Sequence, residues 1–133
     1  MEKYLNKWFF LEILYYKSNF QEINNLESVH PDDWDLVKNN LTNTFYECIG
    51  LDGEYLIVRS KKHTLRIKSD LIKRYLPSPK FKWGNRVIIS AKNTEATIDS
   101  FFWHEKDQKY YYYLTVNEKK KSKWYSEDEM IKI

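Results

Sequence analysis

The chain has 133 residues, of which 17% are aromatic (5 Trp, 11 Tyr and 7 Phe) and 31% are charged. This length suits one domain of ordinary size or two very small ones. Disordered chains are poor in aromatic residues, so this composition excludes general disorder and predicts a packed core. No apolar stretch approaches the roughly 20 residues of a membrane span, and the lone Cys48 cannot form an intramolecular disulfide. We therefore expect a cytoplasmic protein with no membrane association.

The formal net charge is +3, but its sign changes along the chain near residue 41. Residues 1–41 carry 4 basic and 7 acidic side chains, residues 42–79 carry 7 and 4, and residues 80–133 carry 11 and 8. This division is compatible with an acidic cap on a basic module or with a surface that meets a charged partner. Chance variation among solvated faces explains it equally well.

Residues 1–41 predict an N-terminal region that contains helix. The run at residues 5–16 is almost entirely apolar and has no clear period, so we favour a strand buried on both faces, with an amphipathic helix as the close alternative. Phe20, Ile23 and Leu26 then recur every three residues and predict a short helix within residues 18–29, with Ser18 or Asn19 as its cap.

A clearer helix start follows at residues 30–33, His-Pro-Asp-Asp. A first helical turn tolerates proline, because the missing N–H needs no partner there, and acidic side chains favour the positive end of the helix dipole. Trp34, Val37 and Leu41 come next with helical spacing. One face of this helix should therefore pack inward.

Residues 42–79 predict a short β-meander. The Asp-Gly pair at residues 52–53 is a hairpin signal between two runs rich in β-branched and aromatic residues. Leu65 and Ile67 share a face of a third run, and the segment closes in one capped helical turn. In chain order, the predicted elements are the strands Phe45–Leu51, Glu54–Ser60 and His63–Lys68, and the turn Ser69–Ile72.

Residues 80–133 predict four strands, one helical turn and a last short strand. Polar turns separate the strands, and Ser126 followed by three acids is typical of a capped turn. In chain order, these elements are the strands Arg86–Ser90, Thr97–His104, Tyr110–Val116 and Lys119–Tyr125, the turn Ser126–Glu129 and the strand Ile131–Ile133.

This order of elements resembles a small SH3-like barrel of the Tudor or KOW type. The resemblance covers residues 80–133 and is carried by KFKWGNRVIIS, TIDSFFWHEKDQKYYYYLTV and KKKSKWYSEDEMIKI. It implies a five-stranded barrel with a 3₁₀ turn before the final strand, at SEDEM before IKI. A shared barrel does not by itself define a function.

A faint internal repeat extends this fold prediction. RIKSDLIKR at residues 66–74 parallels KWYSEDEMIKI at residues 123–133, since both pass from a strand through a serine and an acid to an apolar end. Residues 42–79 are therefore either a simple meander or an abbreviated second barrel that borrows a strand from the N-terminal run. We predict a mainly β, α+β protein with an α-containing region at 1–41 and a C-terminal SH3-like barrel.

The sequence carries no signature of catalysis, a cofactor or a metal site. The three histidines are far apart, and none has a second ligand type at metal-binding spacing. Only Gly50, Gly53 and Gly84 are available for a phosphate loop or a dinucleotide fingerprint, and none is present. Cys48 lies in an apolar, strand-like run that favours inert packing. We therefore expect a protein that is not an enzyme and needs no cofactor.

The richest chemistry lies in aromatic and basic residues near the C-terminus. Successive residues of a strand face opposite sides, so at least one pair among Tyr110–Tyr113 should reach the surface. We expect a partner-binding face for another protein, and an aromatic groove could hold a peptide or a cationic side chain. The candidate partner-binding residues are Trp103, Tyr111, Tyr113, Trp124 and Tyr125.

Four lysines beside these rings support nucleic-acid binding as the alternative. Rings could stack on bases while lysines neutralise phosphates. The competing interpretation is structural, because aromatic residues also fill small barrels and lysines protect sheet edges. The candidate nucleic-acid contacts are Lys119, Lys120, Lys121 and Lys123.

A bacterial immunity or inhibitor protein is a special case of protein recognition. The many Asn, Lys, Ile and Tyr residues are typical of an AT-rich genome. A charged and aromatic surface could then block a partner enzyme. The acidic face for a basic nuclease would comprise Glu22, Glu27, Asp32, Asp33 and Asp35.

Overall fold

The computed structural model describes residues 2–17, 22–40 and 45–133. The chain divides into two compact units, an N-terminal unit at Met1–Ser78 and a C-terminal unit at Pro79–Ile133. Each unit contains one five-stranded antiparallel sheet. The prediction of a mainly β protein is therefore confirmed.

The N-terminal unit is built around a strand from the start of the chain. This strand, β1, lies between β4 and β7 in the sheet order β6-β5-β4-β1-β7, and β2 and β3 form a separate hairpin. The bounds are β1 Trp8–Leu11, β2 Tyr15–Lys17, β3 Glu22–Asn24, α1 Trp34–Asn40, β4 Phe45–Asp52, β5 Tyr55–Arg59, β6 Thr64–Ile67 and β7 Ile72–Leu76, with 3₁₀ turns at Glu2–Tyr4, Leu26–Ser28, Pro31–Asp33 and Ser69–Leu71.

Several predictions for the first 41 residues can be compared with these elements. The strand favoured within residues 5–16 is confirmed at β1, where Trp8, Phe9 and Leu11 are buried. The short helix within residues 18–29 is wrong, because β3 and a 3₁₀ turn occupy its described part. Residues 22–24 pair with residues 15–17 as antiparallel strands, and this pairing outweighs the weak helical spacing. Ser18, Asn19, Phe20 and Leu41 lie outside the described residues.

The predicted helix start at residues 30–33 is a 3₁₀ turn that leads into α1. The backbone N–H of Asp32 donates to Nδ1 of His30 at 3.1 Å, which caps the turn. Val37 is buried on α1, and Trp34 packs against the same core. The inward-facing side of this helix is thus confirmed for both residues.

Alternation along β6 and the neighbouring strands builds the core of this unit. Leu65 and Ile67 are both buried, as their shared face predicts. They join Phe9, Leu56 and Val58 in one apolar cluster. Strand β7 is an element that the sequence analysis missed.

The C-terminal unit has the sheet order β11-β10-β9-β8-β12. Its strands fall where the sequence predicts them, apart from shifts at their ends. The bounds are β8 Arg86–Ile89, β9 Thr94–His104, β10 Lys109–Val116, β11 Lys119–Ser126 and β12 Met130–Lys132, with a 3₁₀ turn at Glu127–Glu129.

The two sheets follow one pattern of strand connection. In each, the first strand lies between the second and the last, and a 3₁₀ turn precedes the last strand. The prediction of closed barrels is corrected, because among the described residues the outer strands do not pair with each other, either β11 with β12 or β6 with β7. The sheets are open at these edges.

A hydrogen-bond network fixes the start of the C-terminal unit to its 3₁₀ turn. The Tyr112 hydroxyl donates to Oε2 of Glu127 at 2.5 Å and accepts from the Phe81 N–H at 3.4 Å. The same Glu127 oxygen accepts from the Lys80 N–H at 2.7 Å. Ser126 and Glu129 complete a capping box around this turn.

The turn between β10 and β11 stores backbone strain that one substitution should relieve. Asn117 and Glu118 both have positive φ, 50° and 65°, which fits a two-residue hairpin turn with a preference for glycine at its second position. Glu118→Gly should raise the free energy of unfolding of the C-terminal unit by about 1 kcal/mol, because glycine has no Cβ to strain in this conformation. Urea denaturation followed by amide signals of this unit measures the change. Glu118→Ala retains the Cβ and should give no gain; an equal gain would locate the effect elsewhere.

Candidate functional site

The register of β9, β10 and β11 decides which aromatic rings share a face. Tyr111 pairs with Phe102, and Tyr113 pairs with Trp124. His104 lies two residues beyond Phe102 on β9 and therefore faces the same way. We call this set the outer aromatic face: Phe102, His104, Tyr111, Tyr113 and Trp124.

The five rings of the outer aromatic face form one continuous cluster around Phe102. The Phe102 ring centroid lies 5.0 Å from that of Trp124, 6.0 Å from Tyr111 and 5.9 Å from Tyr113. His104 contacts the edge of the cluster, with its centroid 5.3 Å from Tyr111. Trp124 retains 45% exposure, so the cluster is open to solvent on one side.

Trp124, Tyr113, Tyr111 and His104 each have a polar atom with a hydrogen-bond partner within the unit. Nε1 of Trp124 donates to the Tyr113 hydroxyl at 2.5 Å. The Tyr111 hydroxyl donates to Oδ2 of Asp107 at 2.5 Å, and the Asp107 N–H donates to Nδ1 of His104 at 3.1 Å. The hydrogen bond lowers the pKa of Asp107 and raises the pKa of Tyr111. These internal hydrogen bonds reduce the cost of covering the rings, since fewer hydrogen bonds to water have to be replaced.

Two lysines border the outer aromatic face. Nζ of Lys109 lies 5.3 Å from the Tyr111 centroid, and Nζ of Lys120 lies 5.5 Å from the Tyr113 centroid. Lys120 also forms an ion pair with Asp99 at 3.5 Å. Because the chain's own cations contact these rings, the cluster has apolar surface at its centre and positive charge at its edge.

The structure brings together only three of the five predicted partner-binding residues. Tyr111, Tyr113 and Trp124 lie on the outer aromatic face. Trp103 and Tyr125 do not, because they pair with Tyr110 and Tyr112, which point into the core. Tyr125 is buried and Trp103 half-buried, so the proposed single face is corrected to exclude both.

Sequence reasoning missed Phe102 and His104, which complete the cluster. Alternation could have shown that Trp124 and its neighbour Tyr125 face opposite sides of the sheet, so that only one of them can join the cluster. Placing Phe102 rather than Trp103 opposite Tyr111 also requires the strand register. The turn between His104 and Lys109 sets that register.

The four candidate nucleic-acid lysines lie on β11, and all are exposed. Lys120 is paired with Asp99, and Lys123 lies 4.8 Å from the centroid of Tyr125. No described carboxylate forms an ion pair with Lys119, Lys121 or Lys123. These three charges are thus available to a partner.

The acidic residues predicted to meet a nuclease do not form an unopposed acidic face. Asp33 accepts from Nε of Arg66 at 3.1 Å and from Nη2 at 3.2 Å, and Asp32 lies 3.8 Å from the same guanidinium. Asp35 and Glu27 are exposed, and the side chain of Glu22 lies outside the described residues. Arg66 therefore neutralises part of the predicted charge.

Among the described residues, two further features were candidates for a functional site, the thiol of Cys48 and a metal-binding cluster. Cys48 is buried, and this burial raises the pKa of its thiol. The described side chains include no group of three or more His, Cys, Asp or Glu residues placed to hold a metal ion. Within residues 2–17, 22–40 and 45–133, no helix is both long and apolar enough to cross a membrane.

Comparison with known proteins gives a family but no activity. No curated protein and no solved structure matches the chain. Residues 15–131 match the model of a family of unknown function, DUF6960. This match begins at β2 and ends within β12, so it includes every strand of the outer aromatic face. The chain therefore belongs to the DUF6960 family of unknown function.

Proposed function

We propose that this protein is a non-enzymatic binding module that recognises another protein through the outer aromatic face. The observation that carries the proposal is the exposed Trp124 ring, which lies in an aromatic cluster that has internal hydrogen bonds. Tryptophan and tyrosine are enriched among residues that dominate protein interfaces, and burying such rings yields a large hydrophobic contribution. The lysines at the edge would supply the polar rim of such an interface.

An SH3-like fold of the C-terminal unit, with an abbreviated second copy in the N-terminal unit, is part of the same proposal. The common strand order and the 3₁₀ turn before each last strand support it.

The buried lone Cys48 supports a reducing compartment, the cytoplasm. An immunity or inhibitor role in a bacterium remains a special case, in which the outer aromatic face would cover a partner enzyme.

Nucleic-acid binding through Lys119, Lys120, Lys121 and Lys123 is the alternative proposal. The three lysines without carboxylate partners favour it. The ring arrangement favours it less, because Trp124 contacts Phe102, Tyr111 and Tyr113 within the cluster and is only 45% exposed. Stacking on bases needs open ring faces.

Partner capture with matched variants tests the leading proposal. Trp124→Ser should reduce retained partner protein about tenfold or more, since it removes the exposed tryptophan ring of the face. Capture from lysate of the source cells, quantified by mass spectrometry, compares this variant with the wild type. Tyr75→Ser removes another exposed ring, on β7, and should retain the partner. Equal retention by Trp124→Ser would reject the outer aromatic face as the binding surface.

A further inference from the structure

Strand β11 presents the longest open edge of the C-terminal sheet. It is the outer strand beyond β10 and runs over 8 residues, against 3 for the opposite outer strand β12. Residues 119–124 are all exposed. The register shifts after Tyr113, so that residues 121–123 have no partner on β10. Backbone groups along this edge are therefore open to pairing with an added strand.

The charge of this edge selects which strand can be added. Lys119, Lys121 and Lys123 have no carboxylate partner among the described residues. Edge lysines and bulges normally discourage pairing with neutral strands, and here they also repel the same edge of a second copy. An acidic strand would instead gain from each lysine that it meets.

The exposed ring at the end of the same edge argues against protection alone. Trp124 lies directly after the lysines and retains 45% exposure. A large exposed aromatic side chain does not discourage strand pairing, so protection of the edge does not account for Trp124. An added strand would instead place one of its side chains beside Trp124, because neighbouring strands lie about 4.8 Å apart.

We propose that β11 binds an extended acidic segment of a partner protein as an added strand. The backbone of the segment pairs with the open edge, its carboxylates meet Lys119 and Lys121, and an apolar side chain packs on Trp124. This inference rests on the proposed function, because the added strand would meet the outer aromatic face at Trp124 and it names the partner class. The open backbone edge favours a peptide over a nucleic acid, because a nucleic acid has no peptide groups to form hydrogen bonds with a β-strand.

Peptides of defined charge test the inference on the full chain. The probe is an eight-residue peptide that alternates glutamate with valine and threonine, titrated at low salt and followed by amide NMR and hydrogen exchange. Amides of β11 that do not bond to β10 should shift and exchange at least about tenfold more slowly when the peptide is bound. A peptide with lysine in place of glutamate should not bind.

Matched variants separate charge from backbone pairing. Lys119→Gln/Lys121→Gln should weaken the acidic peptide about fivefold, because two exposed charge pairs are lost. Lys92→Gln/Lys132→Gln removes equal charge away from β11 and should change affinity less than about twofold. Methylation of alternate backbone nitrogens of the acidic peptide should weaken its binding at least about tenfold, since a methylated nitrogen cannot donate a hydrogen bond to β11.

Several results would overturn the inference. Equal affinity of the methylated peptide would exclude strand addition, and peptide-induced shifts confined to residues outside β11 would exclude this edge. Stronger shifts of the same amides by oligothymidylate would assign the edge to nucleic acid. If the acidic peptide does not bind but the Trp124→Ser variant still fails to capture the partner protein, strand addition is rejected and the proposed function is not. Failure of the proposed function would appear separately, as partner capture that does not depend on Trp124.

Discussion

Replacing Phe9 with alanine should lower the free energy of unfolding of the N-terminal unit by about 3–5 kcal/mol. Phe9 is fully buried in β1, opposite Tyr46 on β4 and Tyr75 on β7. Truncation loses the transfer free energy of the ring and leaves a cavity in the centre of the sheet. Urea denaturation followed by amide signals of the N-terminal unit measures the effect.

A surface substitution on the same contact provides the control for Phe9. Tyr75 packs edge to face against Phe9, at a centroid distance of 6.0 Å, but is 55% exposed. Tyr75→Ala should therefore cost less than about 1 kcal/mol. A loss below about 1 kcal/mol for Phe9→Ala would contradict the central position of β1.

Alkaline pH should destabilise the C-terminal unit through two buried tyrosines. Burial raises the pKa of Tyr110, and burial together with the Glu127 hydrogen bond raises the pKa of Tyr112. In the unfolded chain both hydroxyls ionise near pH 10. Above about pH 10 the unfolded chain releases protons that the folded chain keeps, so stability present below this pH is lost as the pH rises. Each tyrosine should contribute a loss of about 1.4 kcal/mol per pH unit.

Tyr112→Phe separates the hydrogen-bond contribution from the titration. At neutral pH it should lower the free energy of unfolding by about 1–3 kcal/mol, because the Phe81 N–H loses an acceptor and Glu127 loses a donor. Above about pH 10 its stability should fall less steeply than that of the wild type, by about 1.4 kcal/mol per pH unit. Denaturation series across pH measure both effects.

A neutral core substitution provides the control for Tyr112. Ile98 is buried in the same unit, and Ile98→Val should cost about 0.5–1.5 kcal/mol at every pH. Its alkaline slope should match that of the wild type. An unchanged slope in Tyr112→Phe would mean that Tyr112 does not couple folding to alkaline titration.

Local patterns in the sequence predict those strands that pair with their neighbours in the chain. Alternation and turn residues identify β9, β10 and β11, because each hairpin is defined by adjacent residues. Strand β7 escapes this reasoning, since Lys73, Arg74 and Tyr75 are exposed and its partner is the distant β1. Its pairing depends on the fold of the whole N-terminal unit.

The outer aromatic face is also only partly predictable. Local alternation places Tyr111 with Tyr113 and should have separated Trp124 from Tyr125. Alternation within a single strand does not show that Phe102 lies opposite Tyr111, which depends on the length of the turn between β9 and β10. The position of Lys120 likewise depends on a register shift in β11 that no local motif marks.

The central position of β1 has a consequence for the order in which the sheets form. β1 must meet β4 and β7 after β2, β3 and α1 have intervened, whereas β8, β9 and β10 each pair with the next strand. Contacts between distant parts of a chain slow folding, because loop-closure entropy has to be overcome before they form. The C-terminal sheet can therefore grow hairpin by hairpin. Until β1 pairs with β4 and β7, the edges of these two strands that bind β1 in the folded unit remain unpaired.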